Sequence, residues 1–402
     1  MAFKRPCAKV QISLADGTKS YTPGNKIEGT VCFTPRSKIT IHQLRLSLEG
    51  KTVVRVDTND TNIPLPQTTA SKTFLQMDQP LYDMSCQKVG MLQIGTEYRL
   101  PFEFVVPAEL LPHVCQRHHR HEQLQWEHLQ LPPSFGKRSQ AYDEQTEDMT
   151  AGAIAIQYHV RFSIMKKSQK DGRVTIVGDW TQLVHIRSPR LERPPVLIPE
   201  NSTFYCLSQE AYIIKGLCRR RLGLLSAQTS AQLSVDQRDL SAVRPIRINL
   251  KYNTTAGSPL PTISCIQAEL SALTSFGLTP WSDFPDLTEP ATWDRYNECH
   301  EHNVPLKIAG PAFLHWRRAN PGARGNTHQA FPVADTGYTT TLEAPITFPS
   351  RLPSTPTFYS CLVARTYSLR MSLRFEVEEQ QSRTSTISLT VPLQIYGSLG
   401  QK

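Results

Sequence analysis

The sequence predicts an all-β chain of two consecutive immunoglobulin-like β-sandwich domains joined by a short hinge, and three observations predict it. Apolar residues recur with period two in several runs, which puts them on one face of a strand. Pro and Gly, 30 and 20 of 402 residues, punctuate those runs at intervals typical of sandwiches. A Pro-dense stretch from Arg187 to Pro199 is too irregular for a central strand and divides the chain into two parts of similar size. The expected organisation is a first sandwich over 1–188, a linker over 189–200 and a second sandwich over 201–402.

Taken in order, Tyr21-Thr22-Pro23-Gly24-Asn25 reads as a Pro-Gly turn that launches a strand through Lys26 to Val31. Leu44, Leu46 and Leu48 alternate with Arg45, Ser47 and Glu49, one face apolar and the other wet. Gly95 to Pro107 is a strand interrupted by Pro101 and ended by Pro107. Only two segments hint at helix, Glu122 to Leu129 and a turn near Ala108 to Leu111. Lys137 to Thr150, with Asp143, Glu144, Glu147 and Asp148, reads as a polar loop. Alternation returns at Ile154, Ile156, Tyr158, Val160, Phe162 and Ile164. Past the linker it recurs at Ile246, Ile248, Leu250 and Tyr252, and at Ile387, Leu389, Val391 and Leu393. Thr279 to Pro305 reads as a long insertion whose aromatics pin it to the sandwich.

The net charge is +9, from 44 Lys and Arg against 35 Asp and Glu. Such an excess suits acidic phosphopeptides, inositol phosphates or an anionic membrane face, or serves solubility alone. No zinc knuckle, recognition-helix pattern or RNA-binding aromatic motif accompanies it, so no nucleic-acid partner is expected. Nine cysteines (Cys7, Cys32, Cys86, Cys115, Cys206, Cys218, Cys265, Cys299, Cys361) are scattered, odd in number and free of any Cys-x-x-Cys pair. That usage points to reduced thiols in a cytosolic protein. The N-terminus carries no apolar signal region, and no run approaches the eighteen apolar residues of a membrane span.

Two basic clusters are candidate anion or lipid contacts. Arg117-His118-His119-Arg120-His121 would bind more strongly below neutral pH as its imidazoles charge, and Lys215 with Arg219-Arg220-Arg221 lies just past the linker. Cys299-His300-Glu301-His302 has ligand-type residues packed too tightly to converge on one ion, so no metal and no cofactor are expected. No nucleophile elbow, Walker loop, dinucleotide fingerprint or His-Glu-x-x-His occurs, and the expectation is a protein without catalytic activity. Were it an enzyme, the insertion would supply the site: Asp283, Asp286, Trp293, Asp294 and Tyr296, with Trp281 and Glu298, mix carboxylates with aromatic surface.

The Pro-Gly turn and the Pro-interrupted strand together resemble the N-terminal half of an arrestin domain. Leu129-Gln130-Leu131-Pro132-Pro133-Ser134-Phe135-Gly136, ahead of an acidic loop and a Tyr-bearing strand at Tyr158, is similar to a stretch of fungal arrestin-like proteins. Lys215-Gly216-Leu217 with Arg221 to Leu225, and Thr355 to Leu369, resemble the entry and the closing strand pair of that family's second domain. The resemblance implies two arrestin-type sandwiches and a cytoplasmic adaptor, peripheral at the plasma membrane or endosomes. Such an adaptor recognises membrane-protein cargo, transporter or receptor tails, and recruits a HECT-type ubiquitin ligase through a Pro-Pro-x-Tyr motif. That motif is absent; the nearest WW-domain ligand is Pro80-Leu81-Tyr82. A ligase-independent, retromer-type sorting scaffold is a second reading. An arrestin fold recruited to a fungal small-molecule pathway, binding or cyclising an apolar substrate, is a third.

Overall fold

A computed structural model describes residues 7–17, 20–37, 39–56, 68–81, 91–116, 119–136, 153–168, 171–188, 204–215, 220–229, 233–236, 243–254, 258–285, 297–308, 314–319, 336–348, 355–377 and 384–397. The expected linker and the acidic loop lie wholly outside them.

The first half contributes β1 (Ala8–Leu14), β2 (Lys26–Pro35), β3 (Ile39–Thr40), β4 (Gln43–Val56), β5 (Thr68–Gln79), β6 (Met91–Leu92) and β7 (Tyr98–Val105). A 3₁₀ turn (Pro112–Val114), α1 (Glu122–Leu129), β8 (Ile154–Lys167) and β9 (Val174–Val184) follow. The strands form a sheet β1-β2-β7, a sheet β5-β4-β8-β9 and a short β3-β6 ladder. Their alternating apolar faces meet in one core: Val31, Phe33, Leu100 and Phe102 from one layer, Leu46, Leu48, Val160 and Phe162 from the other. Phe33 and Phe162 touch across the layers with ring centroids 5.2 Å apart.

The two opening motifs of the sequence are neighbours in space. Lys26 pairs with Val105 and Phe33 with Tyr98 along the antiparallel β2–β7 ladder. Gly24, at φ +84°, supplies the left-handed residue of the turn, and its N–H donates to the Val106 carbonyl at 2.9 Å. Asn25 Oδ1 accepts from both the backbone N–H and the hydroxyl of Thr22, each at 3.0 Å, so Asn closes the turn with its own side chain. Pro101 is tolerated because β7 is an edge strand of its sheet, where a missing N–H breaks no ladder.

The second half contributes β10 (Ser208–Lys215), β11 (Arg220–Thr229), β12 (Leu233–Asp236), β13 (Arg244–Thr254), β14 (Thr262–Gly277), β15 (Asn297–Ile308), β16 (Arg317–Arg318), β17 (Thr336–Thr347), β18 (Phe358–Tyr359), β19 (Val363–Glu376) and β20 (Ser385–Tyr396). Their hydrogen-bonded path runs β10-β11-β13-β17-β15-β14-β19-β20-β12 and folds over on itself. The corner is β15: its first ten residues pair with β14, then Lys307 and Ile308 switch to Thr347 and Ile346 of β17. A second core fills the space between the layers, with Ile248, Leu250, Leu270, Leu342, Leu369, Ile387 and Leu389 all buried.

Two expectations need correction. The insertion read over Thr279 to Pro305 ends early, because Asn297–Ile308 is strand β15. Polar residues hide that strand in the sequence: Glu301, in its middle, accepts from the Ser271 hydroxyl at 2.6 Å and pairs with Arg370 at 2.6 Å. The helical turn expected near Ala108 to Leu111 falls instead at Pro112–Val114. Glu109 is drawn into a β-bridge with Gln130, and the Leu110 N–H donates to the Leu129 carbonyl at 2.7 Å.

Candidate functional site

Residues 109 to 136 leave the first sheet pair, turn through α1 and return, with the Glu109–Gln130 bridge closing their base. The returning strand-like segment is locked residue by residue. Pro132 and Pro133 cannot donate, and the Pro132 carbonyl accepts from the Tyr158 hydroxyl. The Ser134 N–H donates to the Ile186 carbonyl at 2.8 Å, and its Oγ accepts from the Ile186 N–H at 2.9 Å. Phe135 and Ile156 exchange both backbone hydrogen bonds, at 3.0 and 2.8 Å. Gly136 then turns away at φ +97°.

The outward side of this segment forms a seat for the second half of the chain. Phe135 meets Phe358 edge-to-face at 5.6 Å. The Arg365 guanidinium stands 5.7 Å from the Phe135 ring centre and 5.1 Å from that of Tyr367. Arg365 is fully buried and donates to the Thr274 hydroxyl. Phe276, Phe358, Leu362 and Val363 all belong to the first hydrophobic core although they come from the second half. At the tip, the Arg120 N–H donates to the Ser282 carbonyl at 2.9 Å, and its guanidinium reaches Asp283 at 3.3 Å. His121 Nε2 lies 3.2 Å from the other Asp283 oxygen, and its ring packs near Phe284.

Inside the seat three ligand-type side chains converge. Cys115 Sγ lies 3.3 Å from His128 Nδ1 and 3.5 Å from His119 Nε2, and the two imidazole nitrogens are 2.9 Å apart. All three residues are buried. Burial pushes the His128 imidazole below its ordinary pKa, because a desolvated imidazolium has lost its hydration. Cys361, also buried, shares a hydrogen bond with Cys115, and that contact followed by burial holds its thiol far above the usual range.

The basic run is therefore not one surface. His119 turns inward to Cys115 and His128, Arg120 and His121 are engaged by Asp283, and Arg117 and His118 lie outside the described residues. In the second cluster, the exposed Arg221 stacks over Tyr212 at 4.1 Å. Arg219 lies outside the described residues, and of Lys215 and Arg220 only the backbone is described, paired to each other across β10 and β11. Of the insertion, Asp286, Trp293, Asp294 and Tyr296 lie outside, whereas Trp281 is half-buried with its backbone N–H donating to the Cys361 carbonyl at 3.0 Å. Pro80 is exposed at the end of β5 and Tyr82 lies outside. In Cys299-His300-Glu301-His302, strand geometry sends alternate side chains to opposite faces, so the four do not converge.

Cys115, His119 and His128 do not stand out as a set in the sequence. The signal was present as Cys-x-x-x-His followed by a second His at the end of α1, but Cys361 is distant in sequence and joins only through the fold.

None of the described cysteines is disulfide-bonded, and among the described residues no helix is long and apolar enough to cross a membrane. Residues 10–175 match the family described as Arrestin (or S-antigen), N-terminal domain. No curated protein matches the chain. Over residues 10–175 the chain is thus similar to an arrestin N-terminal domain, and the all-β layered architecture continues through its second half.

Proposed function

Starting from an arrestin-like chain, we propose that this protein is a cytoplasmic, non-catalytic adaptor that recognises membrane-protein cargo for ubiquitin-dependent endocytosis or sorting. The match of residues 10–175 to an arrestin N-terminal domain carries the reading. Recognition at equilibrium needs exposed, adaptable surface rather than converging catalytic groups. The outer edge of β9 offers such surface, with Val174, Ile176 and Val177 exposed beside a bulge where Ile164 pairs with Gly178 and Met165 with Ile176. An extended cargo tail adds to an edge of this kind through main-chain hydrogen bonds, with its side chains giving specificity. The basic surface, Arg221 included, would favour an anionic lipid headgroup nearby. Asp283, the described carboxylate of the cyclase reading, is engaged by Arg120 and His121, which favours a structural part for it.

The absent Pro-Pro-x-Tyr motif favours a second form of the same reading, in which sorting needs no directly bound ligase. Proximity labelling of the tagged protein in its own cells, comparing wild type with Ile176→Asp and Tyr82→Ala, separates the forms. Membrane transporters captured by wild type and lost with Ile176→Asp support cargo recognition at β9. A WW-domain ligase captured and lost with Tyr82→Ala assigns recruitment to Pro80-Leu81-Tyr82, and its absence from a cargo-bearing capture assigns the ligase-independent form. Metabolic enzymes without membrane cargo would refute the adaptor reading.

A further inference from the structure

We propose that Cys115, His119 and His128, completed by Cys361, hold one Zn²⁺ that pins the two halves of the chain together. The distances match an ion-centred arrangement. A tetrahedral zinc with thiolate and imidazole bonds of about 2.3 and 2.05 Å sets sulfur and nitrogen about 3.6 Å apart and two nitrogens about 3.3 Å apart. The corresponding separations here are 3.3 and 3.5 Å, and 2.9 Å, within a few tenths of an ångström of that geometry. All the ligand atoms of Cys115, His119 and His128 lie within 4.8 Å of one another. Cys361, buried in the second half of the chain, interacts with Cys115 but stands outside the group of three whose ligand atoms lie within 4.8 Å of one another, so its sulfur moves inward to complete the shell when the ion binds.

The chemistry of the set selects the metal. Two thiolates and two imidazoles make a soft, four-coordinate N₂S₂ site, which suits zinc and excludes magnesium or calcium. Burial of all four residues leaves no open position for a substrate or water, so the ion is structural. Binding releases the two thiol protons, and the two thiolate charges balance the ion, giving a neutral centre compatible with its apolar surroundings. The position explains the purpose. Cys115, His119 and His128 stand on the excursion from the first sandwich, and Cys361 lies between β18 and β19 of the second. One ion thereby ties four points that local sequence does not bring together.

The test uses the full chain purified under reducing conditions without chelator. Elemental analysis is expected to find about one zinc per chain, and replacement by Co²⁺ to give a tetrahedral spectrum with thiolate-to-metal charge transfer. Cys361→Ser should keep the fold but shrink the charge-transfer band by about half, since one of two thiolates is lost. A variant with all four residues changed to Ala should bind no zinc. Three results would overturn the proposal: folded wild type that neither carries zinc nor takes up Co²⁺, zinc retained by the four-Ala variant, or a Cys115–Cys361 disulfide in protein whose thiols were blocked at lysis. None of them bears on cargo recognition, which is read separately.

Discussion

At the scale of the residue, Gly136 shows how one atom constrains the seat. A Cβ there would strike the Ile154 carbonyl oxygen, and φ is +97°, so both space and backbone reject a side chain. Gly136→Ala is expected to cost about 2–4 kcal/mol, read as a lowered urea midpoint. Gly172, at φ +68° with only the end of Lys167 nearby, supplies the control. Gly172→Ala should cost about 1 kcal/mol, the backbone penalty alone. The run Leu129 to Gly136 was legible as a motif because Pro-Pro and Gly are locally distinctive. Its partners, Tyr158 and Ile186, were not, since nothing in a linear sequence announces which distant carbonyl a serine N–H will meet. The same blindness hid the pairing of Asp283 with Arg120 and His121.

At the scale of the element, the solvent face of β8 carries a charge network that period-two alternation marks only as polar. Arg161 grips Asp179 at 2.8 Å through two nitrogens and reaches Glu49 at 3.1 Å, while the Ser163 hydroxyl donates to Asp179 at 2.9 Å. The Arg161 hydrogen bonds hold the Asp179 carboxyl below its ordinary range. His159, on the same strand, is pushed the same way by burial, which disfavours its charged form. The signs agree. Each group binds a proton less readily folded than unfolded, so each contribution is present above the unfolded pKa and lost as pH falls towards the folded one. Urea unfolding should therefore weaken in two stages, below about pH 6.5 from His159 and below about pH 4 from Asp179. His159→Gln should shrink the first stage without removing it, since burial lowers His300 as well. Arg161→Met should shrink the second. The inward sides of β4, β8, β13 and β20 were legible because burial enforces alternation, whereas β15 was not, because its polar residues pair with partners on β14 and β19.

At the scale of the molecule, two sandwiches share one junction. Residues Phe276, Phe358 and Val363 from the second half complete the first core, and Phe135 and Arg365 stack where the two meet. Length and the Pro-dense stretch made two sandwiches legible, but a seat assembled from 115–136, 276–284 and 357–365 has no sequence signature. Such an arrangement couples the stability of each half to the other. The two halves therefore behave as one body held at this seat. Differential scanning calorimetry of the full chain beside Phe135→Ala tests it most directly. Wild type is expected to unfold in a single cooperative transition, lowered or split in Phe135→Ala by the loss of about 3–5 kcal/mol of junction packing. Two separate transitions in wild type, neither moved by Phe135→Ala, would contradict it.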